Sequence, residues 1–250
     1  MPYFDAPPAD IQLMFDIADD DWPDAAIIVG EFSQFACHER VRAIWPDARR
    51  VEEHSLLVVD GGHRIWISAV FGAAMAATFA HLVLKLGARA LVQIGSIGGL
   101  ADGWRPGDVL VPSLVVGRDG VSSRLSRDKP IAPDARLSSA LRQELASRLD
   151  PATVRSGTLV TTTTISLERV SDVARWRRRG YVGVEMECAA TVGTAAHFGV
   201  SAAGAFVLMD DLAGGQTFLT LSHDDERRVE MVKDAILRAS VAAVSGFGAG

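Results

Sequence analysis

The chain of 250 residues has few cysteines, an excess of negative charge and no long apolar run. Its two cysteines, Cys37 and Cys188, form neither a CxxC pair nor a metal-like spacing. Such sparse cysteine use is typical of proteins from a reducing compartment and argues against a disulfide-stapled fold. The six histidines show no metal-ligand spacing either, so we predict no metal site.

Charge and hydropathy exclude two further classes of partner. The net charge is −6 and the pI is near 5.5, which argues against a nucleic-acid groove and against binding to an anionic membrane surface. Glycine, serine or charged residues interrupt the apolar stretches before they reach membrane-span length, and no apolar segment follows a basic start. We therefore expect a cytoplasmic protein with no nucleic-acid or membrane partner.

What the sequence does have is an alternation of apolar strand-like and helix-like segments. Apolar residues make up 48% of the chain, enough for a large core. The alternation predicts an α/β fold, with three α/β/α layers around a largely parallel mixed sheet. No repeat or long linker divides the chain, so we expect a single domain over 1–250, with an N-terminal extension at 1–24 and a loose tail at 246–250.

The element boundaries follow from apolar periodicity and from glycine and proline positions. The predicted strands are 26–29, 56–59, 64–70, 90–94, 108–116, 154–161, 181–185 and 202–209. The predicted helices are 35–44, 73–86, 136–149, 167–178, 188–198 and 224–244.

Two carboxylates stand where a predicted strand gives way to a predicted helix, in the run Gly183-Val-Glu-Met-Glu-Cys-Ala-Ala190. A core does not accept ionised acids without partners. Because a carboxylate only accepts hydrogen bonds, Glu185 and Glu187 suit a ligand that offers several donors, such as the cis-diol of a ribose. The alternative is a helix first turn in which acids complement the helix dipole.

A glycine-rich segment follows the predicted strand at 90–94, in the run Gln93-Ile-Gly-Ser-Ile-Gly-Gly-Leu100. Three glycines allow a tight turn that aims backbone N–H groups at an anion, and Ser96 adds a hydroxyl donor. The run matches neither the GxGxxG fingerprint nor a P-loop. A weak anion site and an ordinary turn both remain open.

A third polar cluster, Met209-Asp-Asp-Leu-Ala-Gly-Gly215, follows the last predicted strand. Ligands of open α/β sheets bind beyond the carboxyl ends of the strands, where all three clusters are predicted to lie. Repulsion between Asp210 and Asp211 favours a retained proton on a partly buried acid, and a protonated Asp210 can donate to a leaving heterocycle. The alternative is an acid that caps a turn.

With these three runs, the sequence resembles the nucleoside phosphorylase superfamily, in its purine-nucleoside and uridine phosphorylase branch. The resemblance covers residues 26–244. It implies an enzyme that cleaves the N-glycosidic bond of a nucleoside with phosphate, giving a free base and (deoxy)ribose 1-phosphate, with no cofactor besides this co-substrate. It also implies a homo-oligomer, either a dimer or a hexamer.

The resemblance assigns a role to each cluster, residue by residue. The ribose would be held by Glu185, Met186 and Glu187, and the phosphate by Gly30, Gly95 and Ser96. Asp210 would protonate the purine. The run Thr161-Thr-Thr-Thr-Ile-Ser-Leu-Glu-Arg169 falls where uridine phosphorylases recognise the base, which makes Thr163 and Arg169 the candidate base-binding residues.

Two departures from the family pattern concern the phosphate site. Gln34 and Gln93 stand where the family usually has arginines, and Glu31 follows the first glycine. An amide replaces neither the charge nor the bidentate fork of a guanidinium, so phosphate binding should weaken by several kcal/mol. Two alternatives therefore stay open: a nucleosidase that uses water, and a non-catalytic nucleoside-binding protein.

Overall fold

The computed structural model describes residues 5–126 and 129–247. Within them, eight α-helices surround eleven strands of one sheet. The strands are β1 (Ala25–Gly30), β2 (Arg49–Glu52), β3 (Ser55–Asp60), β4 (His63–Val70), β5 (Ala90–Gly99), β6 (Val109–Leu110), β7 (Leu114–Gly117), β8 (Val154–Arg155), β9 (Thr158–Thr161), β10 (Tyr181–Glu185) and β11 (Ser201–Asp211). The helices are α1 (Pro8–Met14), α2 (Gln34–Ile44), α3 (Ala73–Lys85), α4 (Val121–Ser126), α5 (Ala135–Ala146), α6 (Val170–Arg178), α7 (Cys188–Phe198) and α8 (His223–Phe247).

The sheet is mixed and largely parallel, as predicted. Its main path runs β2-β3-β4-β1-β5-β10-β9-β7, while β11 pairs with β5 and β6, and β6 with β8. Strand β5 lies at the centre, parallel to β1 and β11 and antiparallel to β10.

Helices cover both faces of this sheet, which confirms the three-layer arrangement. Ile27 and Ile28 of β1 are both fully buried, yet they belong to different cores. Ile28 packs in the core that includes Phe79 of α3 and Val192 of α7, whereas Ile27 packs in the core that includes Ile236 of α8. Burial on both faces explains why the strand sequences are continuously apolar rather than alternating.

Two predicted strands are each divided in two. The segment 108–116 forms β6 and β7, which pair with different neighbours, and Pro112 between them has no N–H for a ladder. The segment 154–161 forms β8 and β9, separated at Gly157, where an added Cβ would meet Val182 at 2.6 Å.

Ordered helices lie near both ends of the chain. The N-terminal segment contains α1, and its Ile11 and Ile17 are buried. Helix α8 continues through Phe247, so residues 246 and 247 are helical rather than part of a loose tail; 248–250 lie outside the described residues. Helices α1 and α4 and strand β2 were not predicted. No helix in the described part of the chain is long and apolar enough to span a membrane. The division into one domain stays a prediction.

Candidate active site

The three polar clusters meet at the carboxyl-terminal half of β5. Gly30, the last residue of β1, pairs with Gly95. Gly98, three residues further along β5, pairs with Val184 on one side and with Asp210 on the other. The strand pairing therefore brings the Glu-Met-Glu run, the first glycine and Asp210 to one region, as the rule for ligand sites in open α/β sheets predicts.

The glycine-rich run forms an extended strand rather than the predicted tight turn. Strand β5 continues to Gly99, and among the glycines described with positive φ none belongs to this run. Close packing accounts for the glycines instead: an added Cβ would lie 2.6 Å from Leu212 at Gly98 and 2.5 Å from Leu208 at Gly99.

Glu187 is held at the centre of this region. It is 4% exposed, and its Oε1 accepts a hydrogen bond of 2.7 Å from the backbone N–H of Gly72, the residue that caps α3. Its Oε2 lies beside Gly30, where an added Cβ would approach to 2.7 Å. Burial raises the pKa of Glu187. The carboxylate is thus an acceptor in a dry setting, with backbone approaching closely on one side.

Glu185 is occupied by donors of the protein itself. Its carboxylate accepts from the Thr161 hydroxyl and from the backbone N–H groups of Glu187 at 2.8 Å and Cys188 at 2.6 Å. These bonds give partners to the backbone N–H groups at the start of α7. This is the role in a helix first turn that was the alternative to ribose binding. Contact of Glu185 with a ribose stays a prediction, as does contact of the buried Met186. Burial raises the pKa of Glu185.

The two glutamines at the family's arginine positions are engaged elsewhere. Gln93 is fully buried, accepts from the Thr191 hydroxyl at 2.5 Å and donates to the Ile94 carbonyl at 3.1 Å. Gln34 donates to the Glu53 carbonyl. A Gln93→Arg change would therefore place a charge at a sealed position, so simple restoration of the arginine is not a clean test of this site.

A small cavity lies beside Gly30, Gly95 and Ser96. Its volume is about 40 Å³, and Glu31, Arg40 of α2 and Lys233 of α8 also line it. The sequence pointed to its glycines, to Ser96 and to Glu31. It gave no signal for Arg40 or Lys233, because only the packing of α2 against α8 brings the two cations together.

Asp210 is the candidate proton donor. Burial raises its pKa, and its carboxylate accepts from the backbone N–H of Phe218. Repulsion by Asp211 was expected to be the cause, but Asp211 is engaged by the Gly214 N–H at 2.9 Å, and burial is the dominant effect on Asp210.

The predicted base-binding residues lie on the exposed segment before α6. Thr163 donates to the Arg118 carbonyl at 3.4 Å. Arg169 is exposed and caps α6. Between them lies Glu168, which no sequence pattern indicated: burial and then the charge of Asp210 raise the pKa of Glu168 to about 7. Since the coupling to Asp210 depends on β11, the sequence carries no local signal for it.

Over residues 5–126 and 129–247, no group of three or more His, Cys, Asp or Glu side chains could hold a metal ion.

Comparison with known proteins concerns the family and the fold. The sequence model described as Phosphorylase superfamily matches residues 39–243. The fold is similar to the crystal structure of purine nucleoside phosphorylase from Toxoplasma gondii in complex with immucillin-H: the TM-score is 0.75 at 16% identity, over 92% of this chain and 94% of that one. No curated protein matches the sequence significantly. The chain belongs to the phosphorylase superfamily, which confirms the resemblance to the nucleoside phosphorylases.

Proposed function

We propose that this protein cleaves the N-glycosidic bond of a nucleoside and that phosphate is the attacking group. The observation that carries the proposal is the strand pairing at Gly98, which brings an acceptor carboxylate, Glu187, and a candidate acid, Asp210, to the two sides of β5. The family supports a phosphorylase-type activity in general.

In this proposal the two acids have complementary tasks. Glu187 accepts from the ribose hydroxyls and fixes the sugar while its anomeric carbon gains positive character. Asp210, whose pKa is raised by burial, gives a proton to the departing purine. Thr163 and Arg169 contact the base, and Gly30, Gly95 and Ser96 border the anion. A homo-oligomer, a dimer or hexamer, also stays a proposal.

Hydrolysis is the second candidate, and one observation favours it. Glu31 lines the cavity beside Ser96, and the arginine position at 93 holds a buried glutamine. A carboxylate repels a dianion and tolerates water, so this cavity can also hold a water molecule as the nucleophile.

Base release from a panel of purine and pyrimidine nucleosides, with and without phosphate, tests these alternatives. Phosphorolysis requires release that rises with phosphate and yields a sugar 1-phosphate. Free sugar at a rate indifferent to phosphate would replace the first candidate by the second. Nucleoside binding without release under either condition would leave a binding protein.

A further inference from the structure

The cavity beside Gly30 has an arrangement of charge that the family resemblance does not assign. Its floor is apolar, with Ile94 and Val207 from the sheet and Ile236 from α8. Its volume of about 40 Å³ is enough for a few water molecules or one small anion, and far too small for a nucleoside. Gly30 separates it from Glu187, so a small ion there would lie next to the proposed sugar site.

Two cations face this cavity, and their acidic partners lie further out. Arg40 pairs with Glu230 and Asp234, and Lys233 pairs with Glu230 at 2.8 Å. The side chains of Arg40 and Lys233 are 25% and 19% exposed, whereas those of the two acids are 53% and 48% exposed.

Water therefore screens the acids more than the cations. An ammonium has three N–H donors, and Glu230 engages Lys233 at one position. The Lys233 ammonium thus still has N–H groups that can donate to an anion in the cavity.

Glu31 also lines the cavity and carries the opposite charge to Arg40 and Lys233. It receives one long hydrogen bond, 3.4 Å, from the backbone N–H of Ser33. Burial and then the nearby Glu31 charge raise the pKa of the Cys37 thiol in the cavity wall to about 12, so this thiol stays protonated. A carboxylate cannot donate, so it tolerates an anion beside it only if that anion supplies a hydrogen.

We propose that Arg40 and Lys233 hold the anion in this cavity in place of the family's arginines, and that Glu31 selects an oxyanion that carries a proton. Hydrogen phosphate has a P–OH group to donate to Glu31, whereas sulfate at neutral pH has none. This inference rests on the proposed phosphorolysis, because it names the recognition of its co-substrate.

Binding of inorganic phosphate and of sulfate to the nucleoside-free protein, by titration calorimetry at fixed ionic strength, tests the proposal. Wild type should bind phosphate at least tenfold more tightly than sulfate. Glu31→Gln, whose amide can donate, should gain sulfate affinity and lose this discrimination, while the exposed Glu39→Gln should behave as wild type. Equal binding of both ions by wild type, or unchanged discrimination in Glu31→Gln, would overturn the role of Glu31.

The cations are tested in the same assay. Lys233→Met should weaken phosphate binding about tenfold or more, on the scale of a lost charge-assisted hydrogen bond. Lys129→Met removes the same charge from an exposed site and should leave the affinity unchanged. Equal affinities of these two variants, or no phosphate binding by wild type, would refute the site. Phosphate binding as described, together with base release indifferent to phosphate, would reject phosphorolysis while the anion site stands.

Discussion

Replacing Glu187 by glutamine removes the charge of the proposed ribose acceptor and nearly preserves its shape. The amide oxygen can still accept the 2.7 Å hydrogen bond from Gly72, so the fold has no lost partner at that atom. The other end changes from an acceptor oxygen to an NH₂ group, which faces Gly30 and the proposed sugar. The substitution therefore tests ribose recognition with little disturbance of packing.

The expected loss of activity follows from the strength of hydrogen bonds to charged groups. Each is worth about 1.5–3 kcal/mol, and about 1.4 kcal/mol corresponds to a factor of ten. Loss of one such bond to a ribose hydroxyl should lower kcat/KM of Glu187→Gln by about 10- to 100-fold, and loss of two by more. Steady-state base release from the best nucleoside of the panel measures this.

The free energy of unfolding of Glu187→Gln should rise while its activity falls, and the rise should depend on pH. Burial raises the pKa of Glu187 above its unfolded value, so ionisation destabilises the folded protein as pH rises from about 4.5 through the folded pKa. Glu187→Gln has no proton to lose, and it also removes the charge that helps to raise the pKa of Glu185. Relative to wild type, its free energy of unfolding should therefore be higher at pH 8 than at pH 5.

Urea unfolding at both pH values checks this, with the exposed Glu39→Gln as control. A folded Glu187→Gln protein with wild-type kcat/KM would refute the ribose assignment. A stability difference from wild type that is equal at pH 5 and pH 8 would refute the electrostatic argument.

Three further variants test the neighbouring groups. Asp210→Asn should slow purine nucleosides at least tenfold more than pyrimidine nucleosides, because only a departing purine needs the proton at N7; equal loss in the panel assay would indicate a structural role. Glu168→Gln should flatten the pH profile of kcat/KM near pH 7, because glutamine has no proton to lose beside Asp210; an unchanged profile would remove Glu168 from the site. Gly30→Ala should destabilise the protein by about 1–3 kcal/mol and lower turnover, since the new Cβ meets Glu187 at 2.7 Å. The control for Gly30→Ala is Gly246→Ala in α8, where nothing lies within 4 Å and thermal unfolding should show no loss.

The predictions that held for the fold depend on local patterns. Continuous apolar runs such as 26–29 correctly indicated strands buried on both faces, and the same patterns placed polar residues at the strand ends. The apolar pattern of 108–116 indicates one strand, but Pro112 has no N–H for the ladder and the segment forms two strands.

The parts of the site that were missed are set by contacts distant in sequence. Lys233 reaches the cavity because α8 packs beside α2, almost 200 residues away from Arg40. The orientation of Gln93 likewise depends on Thr191 of α7, and no spacing rule relates the two. Residue type could propose the chemistry of each position, but only tertiary packing decides which side chains share a cavity.

The position of Gly30 has a consequence for the reaction itself. This glycine has no positive φ, so turn conformation does not explain it; its lack of a side chain lets the Glu187 carboxylate approach the backbone at the place that a Cβ would take. Together with its partner Gly95 it forms a wall of backbone only. Attack on a sugar requires the nucleophile and the anomeric carbon to come within about 3–3.5 Å. Any side chain at position 30 would take the space of the Glu187 carboxylate, so it would move the proposed ribose and its anomeric carbon away from a nucleophile.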